Sequence, residues 1–272
     1  MPETFCTVRR GGLEYDTPAS FARRGGVRAA FTTRLGGVSE GGLSSLNLGL
    51  NRGDDPARVR ENYLRMLRAM ELSEENLVLT RQVHGVRVAC ASERDRGLGY
   101  ARPREDEADG LITDRPGLVL VGMFADCVPI LLYDPVRRAV GVLHAGWRGT
   151  AQRIAARGVA EMVRAFGCRS ADLLAAVGPS IGSCCFETHA DVPQALGAEA
   201  AAHITPAGDK FLVDLRGCNA AQLEDAGLPR ENISVSGRCT CCDAASYFSH
   251  RRDGAARGSL AAVIALEEEH KQ

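Results

Sequence analysis

Three short segments carry side chains able to hold a metal ion: Arg81-Gln82-Val83-His84-Gly85, Ala125-Asp126-Cys127-Val128-Pro129 and His144-Ala145-Gly146-Trp147-Arg148-Gly149. Two imidazoles and a thiolate are a sound ligand set for zinc. Three protein ligands leave the fourth tetrahedral position open to water or substrate, which is the catalytic arrangement. Zinc held in this way lowers the pKa of bound water towards about 7. The three residues lie far apart in the chain, unlike the compact CxxC of a zinc finger, so spacing alone carries little weight. Taken singly, a histidine at a strand end is more often a hydrogen-bonded structural residue, and a cysteine in an apolar stretch a small hydrophobe. A nucleophilic triad with Cys127 as nucleophile and His144 as base is a competing use of the same groups.

His144 leads into Gly146-Trp147-Arg148-Gly149-Thr150, where a strand should give way to a helix. Such a turn points backbone N–H groups at an anion. Arg148 adds a planar, permanently charged fork suited to phosphate or carboxylate. The GxxxxGK[ST] pattern of a P-loop is absent. Trp147, the sole tryptophan, could stack on a ring or plug a core. Two cysteine clusters, Cys184-Cys185 and Cys239-Thr240-Cys241-Cys242, could together make a structural zinc site. C-x-C-C is an unusual spacing for one, and adjacent cysteines on a strand point apart, so burial or substrate contact is the favoured reading.

Short strands must position these groups. Strands are expected near Val27–Thr32, Leu77–Leu79, Val86–Cys90, Leu118–Phe124, Val128–Tyr133, Ala139–Leu143, Leu173–Val177, Phe211–Val213, Ile233–Val235 and Ser259–Ala265. His84 then falls between two of them, Cys127 in a tight link between two very apolar ones, and His144 at the end of another. Side chains at the ends of buried strands can converge on one point. Asp55 suits a helix N-cap and Pro56 the first helical position; Val59, Tyr63, Met66, Leu67 and Met70 then share one face. A second helix is expected over about Thr150–Phe166, with Ile154, Val159, Met162, Val163 and Phe166 apolar. The Gly- and Ser-rich stretch up to residue 50 reads as a long ordered loop, its end anchored by Leu46, Leu48 and Leu50. Residues 101–108 read as an exposed charged loop. The mixed order, without a steady βαβ rhythm, predicts an α+β fold with mixed sheets flanked by helices, one domain spanning residues 1–272.

The 272 residues can bury a sizeable core, and 45% hydrophobic with 25% charged residues is an ordinary globular balance. A net charge of −1 gives no field to attract nucleic acid or an anionic membrane. Nearly all basic residues are arginine, spread along the chain and matched by acids, which reads as a GC-rich genome. No segment approaches the roughly 18–20 apolar residues of a membrane helix, and the amino terminus lacks the apolar stretch of a signal peptide. A cytoplasmic enzyme is expected. In that setting ten cysteines read as ligands, catalytic groups or buried thiols rather than disulfides.

Taken together, seven segments resemble, in order, those of the YfiH-like family, also called the multicopper polyphenol oxidoreductase or laccase-domain family and FAMIN-related. They are FTTRLGGVSEGGLSSLNLGLNRGDD (31–55), RQVHG (81–85), ADGLIT (108–113), ADCVPILLYDP (125–135), HAGWRGT (144–150), GPSIGSCCFE (178–187) and CTCCDAASYFSHRRDG (239–254). The resemblance implies a single α+β domain with mixed sheets, and metal ligands at His84, Cys127 and His144. It implies phosphorolysis of purine nucleosides (adenosine, inosine, methylthioadenosine) and deamination of adenosine. Copper-dependent phenol oxidation and peptidoglycan editing have also been attached to the family. One departure is visible: where the family usually carries a Thr-Gly-Arg-like turn, this chain has Ala256-Arg257-Gly258.

The expected partners are thus a small nucleoside and phosphate, without nucleic acid or membrane. Arg148 is the first choice for phosphate and Arg81 the second. Asn47 would hydrogen-bond ribose or base. Asp126 would act as general acid/base beside the metal. Gln82 and Cys184 would line the site. A copper phenol oxidase is disfavoured, because multicopper chemistry needs many histidines and the chain has six, none in a His-x-His pair. One Cys-His-His set could still take copper, which outcompetes zinc at most such sites. A peptidoglycan-precursor editing enzyme and a non-catalytic metal- or nucleoside-binding module are the remaining readings.

Overall fold

The computed structural model describes residues 4–268. In chain order its strands are β1 (Phe5–Arg10), β2 (Leu13–Pro18), β3 (Val27–Thr32), β4 (Leu77–Leu79), β5 (Val88–Cys90), β6 (Gly110–Thr113), β7 (Val119–Phe124), β8 (Val128–Asp134), β9 (Ala139–Ala145), β10 (Leu174–Val177), β11 (Glu187–Thr188), β12 (Ile204–Ala207), β13 (Lys210–Val213), β14 (Ile233–Val235) and β15 (Leu260–Leu266). The helices are α1 (Ala19–Arg24), α2 (Pro56–Met70), α3 (Trp147–Ala151), α4 (Ile154–Phe166), α5 (Asp191–Leu196), α6 (Leu215–Asp225) and α7 (His250–Asp253). One sheet runs β1-β2-β3-β15-β7-β4, a second β14-β10-β8-β9-β6-β5, and a small third β11-β13-β12. The first two are antiparallel except at β4–β7, β5–β6 and β10–β14. This is the mixed α+β architecture expected. Among the described residues no helix is long and apolar enough to cross a membrane.

Alternate side chains divide between layers. Leu120, Ala262 and Ile264 of the first sheet meet Leu111, Leu131 and Val142 of the second. Val119, Val121, Ala261 and Val263 point the other way, under Val59, Tyr63, Met66 and Leu67 of α2. On the far side, Ile112, Ile130 and Leu132 pack against Ile154, Val159 and Met162 of α4 and Leu223 of α6. The layers therefore run helix, sheet, sheet, helices. With both faces of the central strands covered, those strands read as unbroken apolar runs rather than alternating ones.

The stacking explains how the site is assembled. The chain crosses from the first sheet to the second after β4 and again after β7, and these two strands are parallel neighbours, with Leu79 opposite Val121. His84 lies on the first crossing and Cys127 on the second. His144 pairs with Pro129 in the β8–β9 ladder, one residue from the end of β9. Both crossings thus leave the first sheet at one edge and arrive beside His144.

The Gly-rich loop is ordered as expected, but its anchors are polar as well as apolar. Buried Asn62 of α2 accepts the Val38 N–H and donates to Ser39 and to the Asn47 carbonyl. Leu46 and Leu48 are buried. Leu50 is not: it is 43% exposed, because the chain turns back to the surface before α2. Asp55 caps α2 by accepting the Ala57 N–H.

The helix expected over Thr150–Phe166 is two helices. Arg153 takes a left-handed conformation (φ 63°) between α3 and α4, with its guanidinium on Glu199 and Asp225. Gln222 of α6 donates to the Thr150 carbonyl, which also accepts the Arg153 N–H. Val163 faces solvent on α4. The β1–β2 hairpin had no counterpart in the sequence reading. Its turn is Gly11-Gly12, both with positive φ, a pairing that favours tight hairpins.

Candidate metal centre

The ligand atoms of His84, Cys127 and His144 lie within 4.8 Å of one another. The two imidazoles meet edge to face, with centroids 4.9 Å apart at 77°. His144 is buried, Cys127 half-buried and His84 exposed, so the cluster is held from inside and open on the His84 side.

Its geometry is imposed by the backbone. His84 (φ 59°) and Asp126 (φ 83°) both sit in the left-handed region. Such strain costs roughly 1–3 kcal/mol and persists where surrounding contacts over-determine it. For His84 those contacts come from Asp109, a buried carboxylate just ahead of β6. It accepts the backbone N–H groups of Val83 (3.0 Å), His84 (3.0 Å) and Gly85 (2.8 Å). Its Oδ1 also lies 2.8 Å from His144 Nδ1. A carboxylate offers no proton, so Nδ1–H is the donor, and Nε2 is the ring nitrogen left for Cys127 and for a metal. Burial pushes the Asp109 carboxyl up, but His144 and the Val83 and Gly85 N–H groups outweigh it and hold it below its ordinary value.

Gly146 closes the cluster. A Cβ there would stand 2.8 Å from His84 Cδ2 and 3.2 Å from Cys127 Sγ, so any larger residue would push the donors apart.

These residues fit a zinc-type ion. Nitrogen and sulfur donors lie within 4.8 Å of one another, close enough to draw in to the separation of about 3.3–3.5 Å that tetrahedral ligation requires. A carboxylate on the outer imidazole nitrogen is the usual orienting partner of a ligating histidine. Burial raises the Cys127 thiol, but His144 and His84 pull it down to about 6. Burial lowers His144, but Cys127 and Asp109 raise it to about 9. Without metal, the pair at neutral pH is therefore thiolate and imidazolium, and ligation must displace the His144 proton. Between those two values the pair should release about one proton per metal bound, and the apparent metal affinity should rise about tenfold per pH unit. Calorimetric titration of this centre with cadmium, whose bound water does not ionise in this range as zinc-bound water does, reads this directly in buffers of different ionisation enthalpy. Release of two protons near pH 7.5 would mean a neutral thiol and sink the assignment.

Of the other residues expected at the site, Asp126 is nearest. Its carboxylate accepts from Thr240 Oγ1 (2.6 Å), Ser249 Oγ (3.0 Å) and the Arg251 N–H (2.6 Å). It ties the Cys127 crossing to the segment before β15. Asn47 is fully buried, its Oδ1 on the Gly49 and Ser259 N–H groups and its Nδ2 on Asp54. Gln82 bridges Thr80 and the backbone of Met123, fastening the first crossing to β7. Arg81 is exposed, donating to the Glu105 carbonyl. Arg148 is exposed, with its guanidinium 4.2 Å from the Trp147 ring centroid. Cys184 lies in a separate cysteine cluster with Cys185, Cys239 and Cys242.

A cleft of about 840 Å³ opens along the first crossing. Arg52, Arg81, Gln82, Arg102, Arg104 and Met123 are among its lining residues; Arg148 is not. Arg104 Nη1 and Arg257 Nε are buried donors without a protein partner. Burial lowers Arg257 to about 10, with Arg52 also lowering it and Asp126 and Cys127 pulling it back up. Arg257 is thus within electrostatic reach of both the cleft arginine Arg52 and the candidate ligand Cys127, in the stretch where the sequence departs from the usual turn.

Sequence reasoning missed Asp109, Gly146 and the Arg52–Arg257 pair. For Asp109 the available signal was an acid directly before an apolar strand, at the end of the acidic run 105–109. The arginine pair had none, because 207 positions separate Arg52 from the Ser259 hydroxyl it binds.

A family model described as "Multi-copper polyphenol oxidoreductase laccase" matches residues 28–267. The chain is 38% identical over 277 residues to "Purine nucleoside phosphorylase YlmD" from Geobacillus stearothermophilus, covering 99% of each. It is 39% identical to "Adenosine deaminase RL5" from an unknown prokaryotic organism, covering 84% of this chain and 90% of that one. Its fold superposes on the crystal structure of the Bacillus licheniformis hypothetical protein YfiH with a TM-score of 0.90 at 36% identity, covering 97% of this chain and all of the other. On the extent of that match, and with the fold agreeing, the chain belongs to the laccase-domain, or YfiH-like, family.

Proposed function

We propose that the chain is a zinc-dependent purine nucleoside enzyme, which cleaves adenosine, inosine or methylthioadenosine with phosphate and deaminates adenosine. The observation that carries this reading is the His84–Cys127–His144 cluster, open on one side, with an arginine-lined cleft that reaches Gln82, two residues from His84. The names borne by its relatives, one a phosphorylase and another a deaminase, support the same chemistry. Zinc at this cluster would supply a Lewis acid able to polarise water or a substrate oxygen.

The chain's own groups divide the remaining work. Asp109 fixes the His144 tautomer and the turn that presents His84. Asp126, with three donors on its carboxylate, holds the Cys127 crossing in place. Arg257, within electrostatic reach of Cys127, and Arg52, which lines the cleft, offer positive charge for phosphate. Arg148, stacked on Trp147, offers a second guanidinium outside the cleft. A copper phenol oxidase finds few ligands: among the described residues, the two groupings of metal-binding side chains hold no histidine besides His84 and His144.

The test is to purify the protein, quantify zinc and copper, and incubate it with adenosine or inosine, with and without phosphate. At least one zinc per chain with phosphate-dependent release of base and ribose-1-phosphate is expected, together with inosine from adenosine. Metal without turnover of any nucleoside would overturn the reading in favour of muropeptide substrates or a binding role. Arg52→Ala should separate the two reactions. Losing a charged hydrogen bond to phosphate should raise its KM about tenfold or more, while deamination, which uses water, stays within about threefold. If Arg148→Ala alone gives that selective loss, phosphate sits on the Trp147 side instead.

A further inference from the structure

A second cluster of metal-binding side chains lies outside this site. The sulfurs of Cys184, Cys185, Cys239 and Cys242 are within 4.8 Å of one another, with Cys242 3.6 Å from Cys184 and 3.3 Å from Cys185. Four thiolates around one zinc at about 2.3 Å stand about 3.8 Å apart. We propose that these four cysteines form a structural zinc site, distinct from the His84–Cys127–His144 centre.

The local backbone answers the objections that the sequence raises. Cys184 and Cys185 lie in a turn, closed by the Cys185 and Phe186 N–H groups on the Gly182 carbonyl, so neighbouring side chains can face one point. From the second segment the cluster takes Cys239 and Cys242, a CxxC pair, and leaves out Cys241. That spacing is the one zinc knuckles use. The turn is closed by the Asp243 N–H on the Cys239 carbonyl. The Gly182 N–H donates to Cys239 Sγ at 3.2 Å. A Cβ at Gly182 would meet Arg216 Nη2 at 2.8 Å and Cys184 Sγ at 3.1 Å, so a side chain there would displace the Arg216 guanidinium and press on Cys184.

The charges fit as well. Zinc with four thiolates carries a net charge of −2, which needs cationic surroundings. Arg251 donates to the Cys185 carbonyl, Arg252 to the Thr240 and Cys241 carbonyls, and Arg216 to the Ser236 and Arg238 carbonyls. Three guanidinium groups thus wrap the backbone of the cluster.

The site joins the segment after β10 to the segment after β14, which otherwise meet through the Ser180–Cys239 bridge. Both segments touch Asp126, through the Ile181 N–H on its carbonyl and Thr240 Oγ1 on its carboxylate. Zinc here would stiffen the loop that carries Cys127.

The deciding experiment counts metal in the wild type, His84→Ala and Cys242→Ser, all purified under reducing conditions and reconstituted with zinc. The expected result is about two zinc ions per chain in the wild type and about one in each variant. Cobalt(II) in His84→Ala should show the intense thiolate-to-metal absorption of a four-sulfur site, and in Cys242→Ser the weaker band of a one-sulfur site. Should Cys242→Ser fail to fold, His84→Ala decides alone, with X-ray absorption reporting sulfur neighbours only. No metal retained by His84→Ala, or a disulfide in place of metal among these cysteines, overturns the proposal. None of these readouts depends on nucleoside turnover.

Discussion

Cys127→Ser should abolish nucleoside turnover, lowering kcat/KM by about 10³-fold or more, in a protein that still folds. A serine hydroxyl replaces the thiolate that His144 and His84 hold ionised, and a neutral hydroxyl is a poor ligand for zinc. Losing a Lewis acid removes several kcal/mol of transition-state stabilisation. The fold has other supports. Cys127 lies between β7 and β8, whose central residues are fully buried in two packed cores. The His84 turn is fastened to Asp109 rather than to the metal. A melting temperature within a few degrees of wild type is expected, with an unchanged far-ultraviolet spectrum. Global unfolding would make the metal a structural element and sink the catalytic assignment. Retained activity would remove the metal from the reaction altogether.

The candidate ligands Cys127 and His144 were legible because each stands at the end of an unmistakable strand, whereas His84 lies in the loop between β4 and β5. The apolar runs before and after Cys127, and the run before His144, correspond to β7, β8 and β9 within two residues at each end. What could not be read was why strand ends from two sheets should meet. That follows from β4 and β7 lying side by side, so that both crossings between the sheets start at one edge. The sequence places these strands some forty residues apart and says nothing of their adjacency. The broken helix after His144 was illegible for a similar reason. Residues 147–166 have good helical character throughout, and the break at Arg153 is settled by Glu199, Asp225 and Gln222, all distant in the chain. The cysteine cluster was visible as residues but not as a site, since only the observed turns turn adjacent cysteines to one point and select Cys242 over Cys241.

Polar residues were harder to assign than ligands because the same chemistry serves structure and function. Asn47 and Gln82 looked like substrate contacts, yet both are spent on backbone groups: Asn47 on the loop ahead of α2, Gln82 on β7. Asp109 is the reverse case. It reads as an ordinary acid before a strand, and it holds two of the three metal ligands.

Substituting Asp109 therefore distinguishes a site supported by its metal from one preorganised by the chain. Asp109→Ala leaves three backbone N–H groups and His144 Nδ1 without their acceptor in a buried place, which should cost about 3 kcal/mol or more of stability. Asp109→Asn keeps the volume and one acceptor oxygen, so it should melt closer to wild type. Its amide N–H₂, if it faces His144, makes Nδ1 the acceptor and puts the proton on Nε2, the atom meant for the metal. Metal affinity should fall about 10–100-fold, as for other orienting partners of ligating histidines. A purely structural role would not move the proton balance, and this one should. Asp109 is one of the groups that raise His144 to about 9. Without its charge His144 loses its proton at lower pH, and the window in which metal binding strengthens tenfold per unit ends below 9. An Asp109→Asn protein with wild-type metal affinity and an unshifted window would show that the backbone alone sets the His144 ring, and that Asp109 serves only the turn at His84.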